Sequence, residues 1–388
     1  KSLLTMKKSC CTLKNSCNIR MMNSISIEQG KIAPLKKNIS SDHTIIKGMT
    51  FTELQEWCID KGESAYRGGQ LFEWLYRHGI TNIDEMSNIK KSFRDFLTLN
   101  ASLETLTLES VSESNQESTQ KYLFKTHESK FIESVSIIEK QRHTVCLSTQ
   151  IGCNVDCDFC ATGKMGFSRN LLTGEIVDQL LWVMRKTTLP VTNIVFMGMG
   201  EPFLNYKRVM DAADIFHHQR GFDLASTRIT ISTAGILPRI YQFITENRKY
   251  KLAISLNASD DITRTQIMPL NSKWPIKELI KAGKTYSELP RRRVMFEYVL
   301  LKNVNDSIED AYRLHKLLNG VQCKLNLIPY NSMGGIFNRP DEDKIKEFAE
   351  YLYDRQTTYR VLVRRSKGKD INAACGQLAV NNKEKENL

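Results

Sequence analysis

Three thiols on one short loop constrain this chain more than any other feature. Cys153-Asn154-Val155-Asp156-Cys157-Asp158-Phe159-Cys160 follows an apolar run, Val145 to Gln150, that reads as a strand. Thiolates select zinc, copper(I) or iron–sulfur, and structural zinc takes four protein ligands, commonly as two spaced pairs. The loop offers three. Cys146, just upstream, would complete a zinc site only if the loop doubled back on its own strand. A [4Fe-4S] cluster held by Cys153, Cys157 and Cys160 leaves its fourth iron open to a substrate or cofactor. A zinc knuckle is the alternative.

The chain of 388 residues is 41% hydrophobic and 25% charged, enough for one large cored domain and one or two smaller modules. No apolar run is long enough to span a bilayer. Net charge is +12, but residues 1–48 hold nine Lys or Arg against two acids, so the basic excess is partly a tail property and favours an anionic partner only modestly. Ten cysteines in so long a chain suit a reducing, cytoplasmic setting rather than a secreted disulfide framework. Residues 1–47 show little periodicity and read as a disordered or misannotated leader, with Met6, Met21 and Met22 as candidate starts and an organellar transit peptide as the alternative.

From Thr52 the pattern turns helical, with Thr52 and Gln55 spaced as a capping box and Gly62 as a stop. A second helix is expected over Arg67 to His78, and a third carries Ile89, Phe93, Phe96 and Leu97, making a small helical module over 48–100. Its Arg67, Arg77, Lys90, Lys91 and Arg94 suit phosphate or an ordinary solvated face equally well. Residues 101–142 change to period two and predict a small antiparallel extension. In its third strand Glu133 shares a face with Phe131, Val135 and Ile137. That placement suggests function, a lone acid at a solvated edge being the alternative.

After residue 143 strands and helices alternate: Asn193 to Met197, Arg228 to Ser232, Leu252 to Leu256, Arg293 to Leu301 and Lys324 to Ile328 as strands, Thr173 to Lys186, Lys207 to His217, Asp306 to Leu318 and Asp341 to Asp354 as helices. The expectation is an α/β fold, a full or partial parallel barrel of the (β/α)6 type over 143–380, with a charged tail over 381–388. In such barrels the loops at the carboxyl ends of the strands build the site. The thiol loop leaves one such end. Gly198-Met199-Gly200-Glu201-Pro202 leaves the next, where Gly200 lets backbone approach a ligand and Glu201 suits an ammonium group. Ser232, Ser255-Leu256-Asn257 and Asn331 put small polar groups at three more. Each alone reads as a cap, but their recurrence suggests a ring around a ribose and a carboxylate.

The seven His show no metal-ligand spacing, and the adjacent His217 and His218 look like the surface end of a helix. Arg291 to Arg293 and the cluster Arg360, Arg364, Arg365, Lys367 and Lys369 read as solvated faces or as grips for an RNA backbone. Cys375, between Ala374 and Gly376, sits on a loop with no bulk to bury it; a buried structural Cys is the other reading.

The thiol spacing, with an aromatic residue before the last Cys, resembles the signature of radical S-adenosylmethionine (SAM) enzymes. With NIVFMGMGEPFLNY, ISTAGILP, EYVLLKNVNDS, NLIPYN and RRSKGKDINAACGQLA, residues 48 to 380 closely resemble the radical-SAM methyltransferases that methylate carbon 2 of an adenosine in 23S ribosomal RNA and in some transfer RNAs. The resemblance implies a [4Fe-4S] cluster on Cys153, Cys157 and Cys160, and SAM bound by Gly200, Glu201, Ser232, Ser255 to Asn257 and Asn331. It implies Cys375 as the methyl-carrying cysteine, Cys146 as the thiol that resolves the intermediate through a disulfide, and Glu133 as the proton acceptor. Two SAM would be used per turnover, one to methylate Cys375 and one as the source of a 5′-deoxyadenosyl radical. A flavodoxin-like or other low-potential electron donor, a ribosomal and transfer RNA partner and a monomeric state follow from the same resemblance. Asn257 departs from the family, which usually has His there. The related carbon 8 methyltransferases are the nearest alternative, and a non-catalytic iron–sulfur or zinc RNA-binding protein is another.

Overall fold

A computed structural model describes residues 44–353 and 358–379. The expected leader falls almost wholly outside these residues, as does the charged tail. The described chain belongs to one compact unit.

The helical module begins with β1 (Thr44–Ile45) and α1 (Phe51–Asp60), continues through α2 (Ala65–Phe72), a π-helical turn over Glu73–Arg77 and α3 (Lys91–Asn100), and closes with β2 (Ala101–Ser102), which pairs parallel to β1. The helix start lies earlier than its expected capping box. Thr50 is the N-cap: its hydroxyl accepts from Glu53 N–H, and the Glu53 carboxylate accepts from Thr50 N–H at 2.8 Å. That pairing satisfies two of the donors a helix start leaves orphaned. The module shares the apolar core of the rest. Lys47 Nζ meets the Asp178 carboxylate at 2.8 Å with both side chains buried, and Phe51 and Phe72 each pack on the His218 ring at 4.7 Å. His218 is therefore a packing residue between module and barrel, not an idle surface histidine.

One sheet of ten strands runs through the remainder, in the order β14-β13-β12-β11-β10-β9-β6-β5-β4-β3. Its antiparallel part is β3 (Leu106–Glu113), β4 (Thr119–Thr126) and β5 (Phe131–Glu139), the expected extension. The extension is continuous with the barrel, because β5 pairs antiparallel with β6 (Arg142–Cys146), and β6 pairs parallel with β9 (Asn193–Phe196). The parallel series continues through β10 (Ile229–Thr233), β11 (Lys251–Ser255), β12 (Val294–Leu300), β13 (Cys323–Pro329) and β14 (Arg360–Val363). Two differences from the sequence reading matter. The first barrel strand stops at Cys146 rather than reaching Gln150; Gln150 belongs instead to β7 (Gln150–Gly152), which forms a hairpin-like pair with β8 (Phe167–Asn170) around the thiol loop. And β14, read from sequence only as a basic cluster, is a strand.

Helices cover the outer face: α4 (Ala161–Lys164) in the thiol loop, then α5 (Thr173–Lys186), α6 (Tyr206–His217), α7 (Leu237–Thr245), α8 (Asp261–Ile267), α9 (Ile276–Glu288), α10 (Ile308–Leu318) and α11 (Glu342–Tyr353). Residues paired across neighbouring strands share a face, and the face bearing Ile194, Ile231, Leu252, Ile254, Phe296, Leu325 and Val361 is packed into the apolar core beneath these helices. The opposite face lines the barrel lumen. It carries Thr144 and Cys146, Val195, Thr230 and Ser232, Ala253 and Ser255, Met295 and Glu297, then Asn326. Small and polar side chains on this face leave room inside. Among the described residues no helix is long and apolar enough to cross a membrane.

Candidate active site

The cavity at the carboxyl ends of the strands is lined by Cys153, Cys157 and Cys160, by Gly200 and Glu201, by Ser232, Ser255 and Asn257, by Glu297 and by Cys375. The thiol loop is shaped by two close backbone approaches. Cys153 N–H donates to Gly166 C=O at 3.0 Å, and a Cβ on Gly152 (φ +73°) would collide with that same oxygen at 1.7 Å. Burial pushes the Cys153 thiol up to about 12 and Cys157 well above its usual range, and the neighbouring thiols add to both shifts. Among the described residues no three such side chains converge closely enough to hold a single ion. A cubane asks for less convergence, since each thiolate takes a different iron, and an all-thiolate set of three in one cavity fits it. The zinc alternative needs Cys146 as fourth ligand. Cys146 does not line this cavity; it sits at the end of β6 among the charges of Arg364 and Glu297, with burial pushing its thiol up to about 11.

Glu201 is buried and raised to about 7 by desolvation, against the pull of its donors. One carboxylate oxygen accepts from Phe203 N–H at 2.9 Å and the other from Ala234 N–H at 2.7 Å, while its own N–H donates to Gln150 Oε1 at 2.8 Å. Gly200 (φ +94°) permits this, because a Cβ there would lie 2.4 Å from Gln150 Cβ. Ser232 Oγ donates to Glu297 at 3.2 Å. The backbone of Leu256 and Asn257 donates to Glu297 C=O, while the Leu256 side chain is buried in the core and does not line the cavity. Asn257 has φ +57°, a left-handed conformation that Asn tolerates better than most residues, and its Oδ1 accepts from Val299 N–H at 3.0 Å. Asn331 also lies off the cavity wall: its amide donates to Cys375 C=O at 3.1 Å and to Ser366 Oγ at 2.9 Å, so it ties down the loop that bears Cys375.

Cys375 lines the same cavity as the three loop thiols, on a strap held by Ala161 N–H donating to Gly376 C=O at 2.8 Å and Thr162 Oγ1 donating to Leu378 C=O at 2.6 Å. The residue as a whole is exposed, but desolvation on the cavity side pushes its thiol up to about 12, with Glu297 the leading charge after that and Cys146 a lesser one. Cys146 and Cys375 are therefore neighbours, and both are free thiols here, so the disulfide expected in resolution is not formed. Glu133 is fully buried but stands outside the cavity wall, ion-paired with Lys121 Nζ at 2.7 Å.

Sequence reasoning missed two residues. Glu297 is a buried carboxylate facing both distant thiols, its acidity weakened by desolvation. Its signal was available: Met295, Glu297 and Val299 share a strand face, the same pattern that singled out Glu133. Arg264, on α8, is fully buried and donates to Leu256, Ala234 and Ser255 carbonyls and to Asn271 Oδ1 at 2.7 to 3.0 Å. It staples the ends of β10 and β11 together. Nothing in its sequence context distinguishes it from a solvated helix arginine.

Residues 147–315 match the family model described as the radical SAM superfamily. Residues 45–103 match that of the ribosomal RNA large subunit methyltransferase N-terminal domain. The chain is 44% identical to the dual-specificity RNA methyltransferase RlmN of Geobacter sulfurreducens, over 86% of this chain and 91% of that protein. The chain belongs to the RlmN family of radical SAM enzymes. A probable member from Bacillus velezensis is 37% identical over 92% of this chain and 99% of its own. A solved radical SAM methyltransferase from Sphaerobacter thermophilus, 41% identical, superposes with a TM-score of 0.82 over 86% of this chain and 99% of that one. A [4Fe-4S] cluster and SAM are the cofactors of this family, and the donor set described above suits both.

Proposed function

We propose that this protein methylates carbon 2 of an adenosine in 23S ribosomal RNA and in transfer RNA, with Cys375 as methyl carrier and Cys146 as the thiol that frees it. The single observation that carries the reading is Cys375 on the wall of the cavity that holds Cys153, Cys157, Cys160, Gly200 and Glu201. A carrier thiol has to stand where SAM is bound. The printed names of the relatives, dual-specificity RNA methyltransferases, support RNA as substrate.

Carbon 2 of adenine lies between two ring nitrogens and is too electron-poor to attack an electrophilic methyl. When bound, the cluster and SAM supply the methyl group and the hydrogen-abstracting radical chemistry that carbon 2 requires. The chain supplies the rest. Glu201, Ser232, Ser255 and Asn257 offer polar contacts around the cofactor. The Cys375 thiol must lose a proton before it can carry a methyl group, and Glu297 is the carboxylate that faces it. Asn331 and Ala161 hold the carrier loop over the cavity. Once the carrier carbon is joined to the base, the Cys146 thiolate attacks the Cys375 sulfur; the sulfur–sulfur bond forms, the carbon–sulfur bond breaks, and its electron pair passes to the methylene carbon, which takes a proton. Glu133, paired with Lys121, is the acceptor of the carbon 2 proton that the family resemblance implies. A low-potential donor such as a flavodoxin-like protein, a monomeric state and a cytoplasmic setting complete the reading; seven free thiols among the described residues suit a reducing compartment.

Anaerobic reconstitution with iron, sulfide, SAM, reductant and RNA tests it. Methionine, 5′-deoxyadenosine and 2-methyladenosine are the expected products. 8-Methyladenosine would assign the chain to the carbon 8 chemistry, and no SAM cleavage would leave it a binding protein.

A further inference from the structure

The lumen has a second set of side chains that the chemistry above leaves unused. At the amino ends of the parallel strands, the lumen-facing positions are Arg142 at the start of β6, Arg228 just before β10, Lys251 at the start of β11, Lys324 in β13 and Arg360 at the start of β14. Register confirms the shared face: Thr230 pairs with Lys251, Met295 with Lys324, and Lys324 with Arg360. Arg364 follows on the same face above Arg360. Among the described residues none of these six cations makes an ion pair. Arg142 Nε, donating to Thr144 Oγ1 at 3.2 Å, makes the only side-chain hydrogen bond in the group. The acids facing them are Glu139, opposite Arg142, and Glu297 deeper in the lumen.

Such a ring is costly to hold. Lys251 is made a weaker base first by burial and then by Lys324, Arg142 and Arg228, and Arg142 by burial, Arg364 and Arg228. Repulsion among six cations that Glu139 and Glu297 offset only in part favours an anionic occupant. At the carboxyl end the thiol loop and the Cys375 strap are hydrogen-bonded to each other. The β3–β4 turn is clasped to the segment after β14, where Glu117 accepts from Gly368 N–H at 2.9 Å and pairs with Lys367, and Asp370 accepts from Ser114 and Asn115. The lumen itself is reached by solvent, since Met295, Leu362, Cys146 and Ser255 on its face are only partly buried.

We propose that this cationic rim grips the phosphodiester backbone of the RNA substrate, and that the target adenosine enters the barrel from the amino ends of the strands to meet the two thiols. The proposal rests on the RNA-methyltransferase reading and adds the route and the grip. From Lys251 to Ser255, as from Arg360 to Arg364, is four residues, a depth of about 13 Å at a strand rise of about 3.3 Å per residue. A flipped-out nucleotide bridges that depth with its phosphates at the rim and its base at the site. Only an unstacked base in a loop or bulge can do this, which is the RNA that sequence-specific proteins usually read.

The test compares wild type, the rim double variant K251Q/R360Q and a control K277Q/K281Q that removes the same charge from the outer face of α9. RNA affinity is measured for a methylatable RNA stem-loop at several salt concentrations, together with SAM binding and 2-methyladenosine formation. The rim variant should bind RNA about tenfold more weakly, with its salt slope reduced by about 1.4, the value for two lost single-strand phosphate contacts. Its SAM affinity and cluster absorbance should match wild type, as neither exchanged residue lines the cofactor cavity. Equal affinity and slope in rim and control variants overturns the portal while the methyltransferase reading stands. Wild-type protein that forms no methylated adenosine fails that reading first, whatever the rim does.

Discussion

The two ends of one barrel are built by opposite rules. At the carboxyl ends of the strands polar groups are buried and mostly partnered: Glu201 lies between two backbone donors, Arg264 among four acceptors, and Asn331 gives its amide to the Cys375 loop, while Asn331 Oδ1 and Glu297 Oε1 have no hydrogen-bond partner among the described residues. At the amino ends cations lie close to one another, outnumber the acids that face them and, among the described residues, make no ion pair. A site that must hold a cofactor in one pose gains from satisfied, desolvated groups, because each reorganises little when the ligand binds. A surface that must catch a long polyanion gains from unpaired charge, whose attraction reaches about a Debye length into solvent. The difference separates binding of the cofactor from capture of the RNA.

The largest effect should come from the carboxyl end. Replacing Cys153, Cys157 and Cys160 together by Ala should remove the brown absorbance of the cluster and all SAM cleavage while leaving a soluble protein. Iron binding and SAM turnover in that variant would break the comparison at its root. Next come the two distant thiols. Cys146→Ala should stall after the carrier carbon has joined the base and accumulate a covalent protein–RNA species, seen as a slow, nuclease-sensitive band on a denaturing gel. Cys375→Ala should never form it. Free methylated product at the normal rate from Cys146→Ala would remove that residue from the mechanism.

Arg264 tests whether the carboxyl end really depends on satisfied polar groups. Arg264→Met keeps an unbranched stem but leaves the carbonyls of Leu256, Ala234 and Ser255 without their donor. Stranding several buried acceptors should cost about 3 kcal/mol of stability, read from the shift of the denaturation midpoint. A midpoint within about 0.5 kcal/mol of wild type would mean the loops hold their shape unaided. Glu297→Gln should leave the fold intact and slow methylation about a hundredfold, the lower range for loss of a positioned proton acceptor. An unchanged rate would leave Glu297 a structural partner of Ser232 only.

How much of this was legible in the sequence depended on whether a residue's role was local. The cluster loop, the Gly200–Glu201 turn and the βα alternation follow from spacing and periodicity over a few residues. The helices α5, α6, α10 and α11 lie within two residues of their expected bounds at either end. What the sequence hid was set by tertiary register. Strand β6 ends at Cys146 because the chain turns there to make β7, which no local pattern marks. The ring of rim cations is five residues at or just before the starts of five strands, each unremarkable alone, and only the pairing of those strands brings them to one face. Asn331, expected at the SAM site from its place after a strand, also gives its amide to the Cys375 strap, a contact no local pattern marks.

The smallest effect separates the rim from the helical module, which the sequence also offered as an RNA grip. Four of the module's five cations are already engaged: Lys90 pairs with Glu63 at 3.1 Å, Arg77 with Glu73 at 3.5 Å, and Arg67 reaches Gln70 and Glu63. Arg94 is spent on Met86 C=O at 3.1 Å. Exposed pairs of this kind contribute little stability, so RNA can open them, but each opening returns part of what a phosphate contact gains. Removing the whole module is a poor test, because it would uncover Lys47–Asp178 and the Phe51 and Phe72 contacts and unsettle α5 and α6. Point variants avoid this. Lys90→Gln with Lys91→Gln should weaken RNA binding no more than about twofold, against about tenfold for the rim pair, with a correspondingly small change in salt slope. If the module pair lowers affinity as much as the rim pair, RNA is captured by the module, and the unpaired charges at the amino ends of the barrel must answer to some other partner.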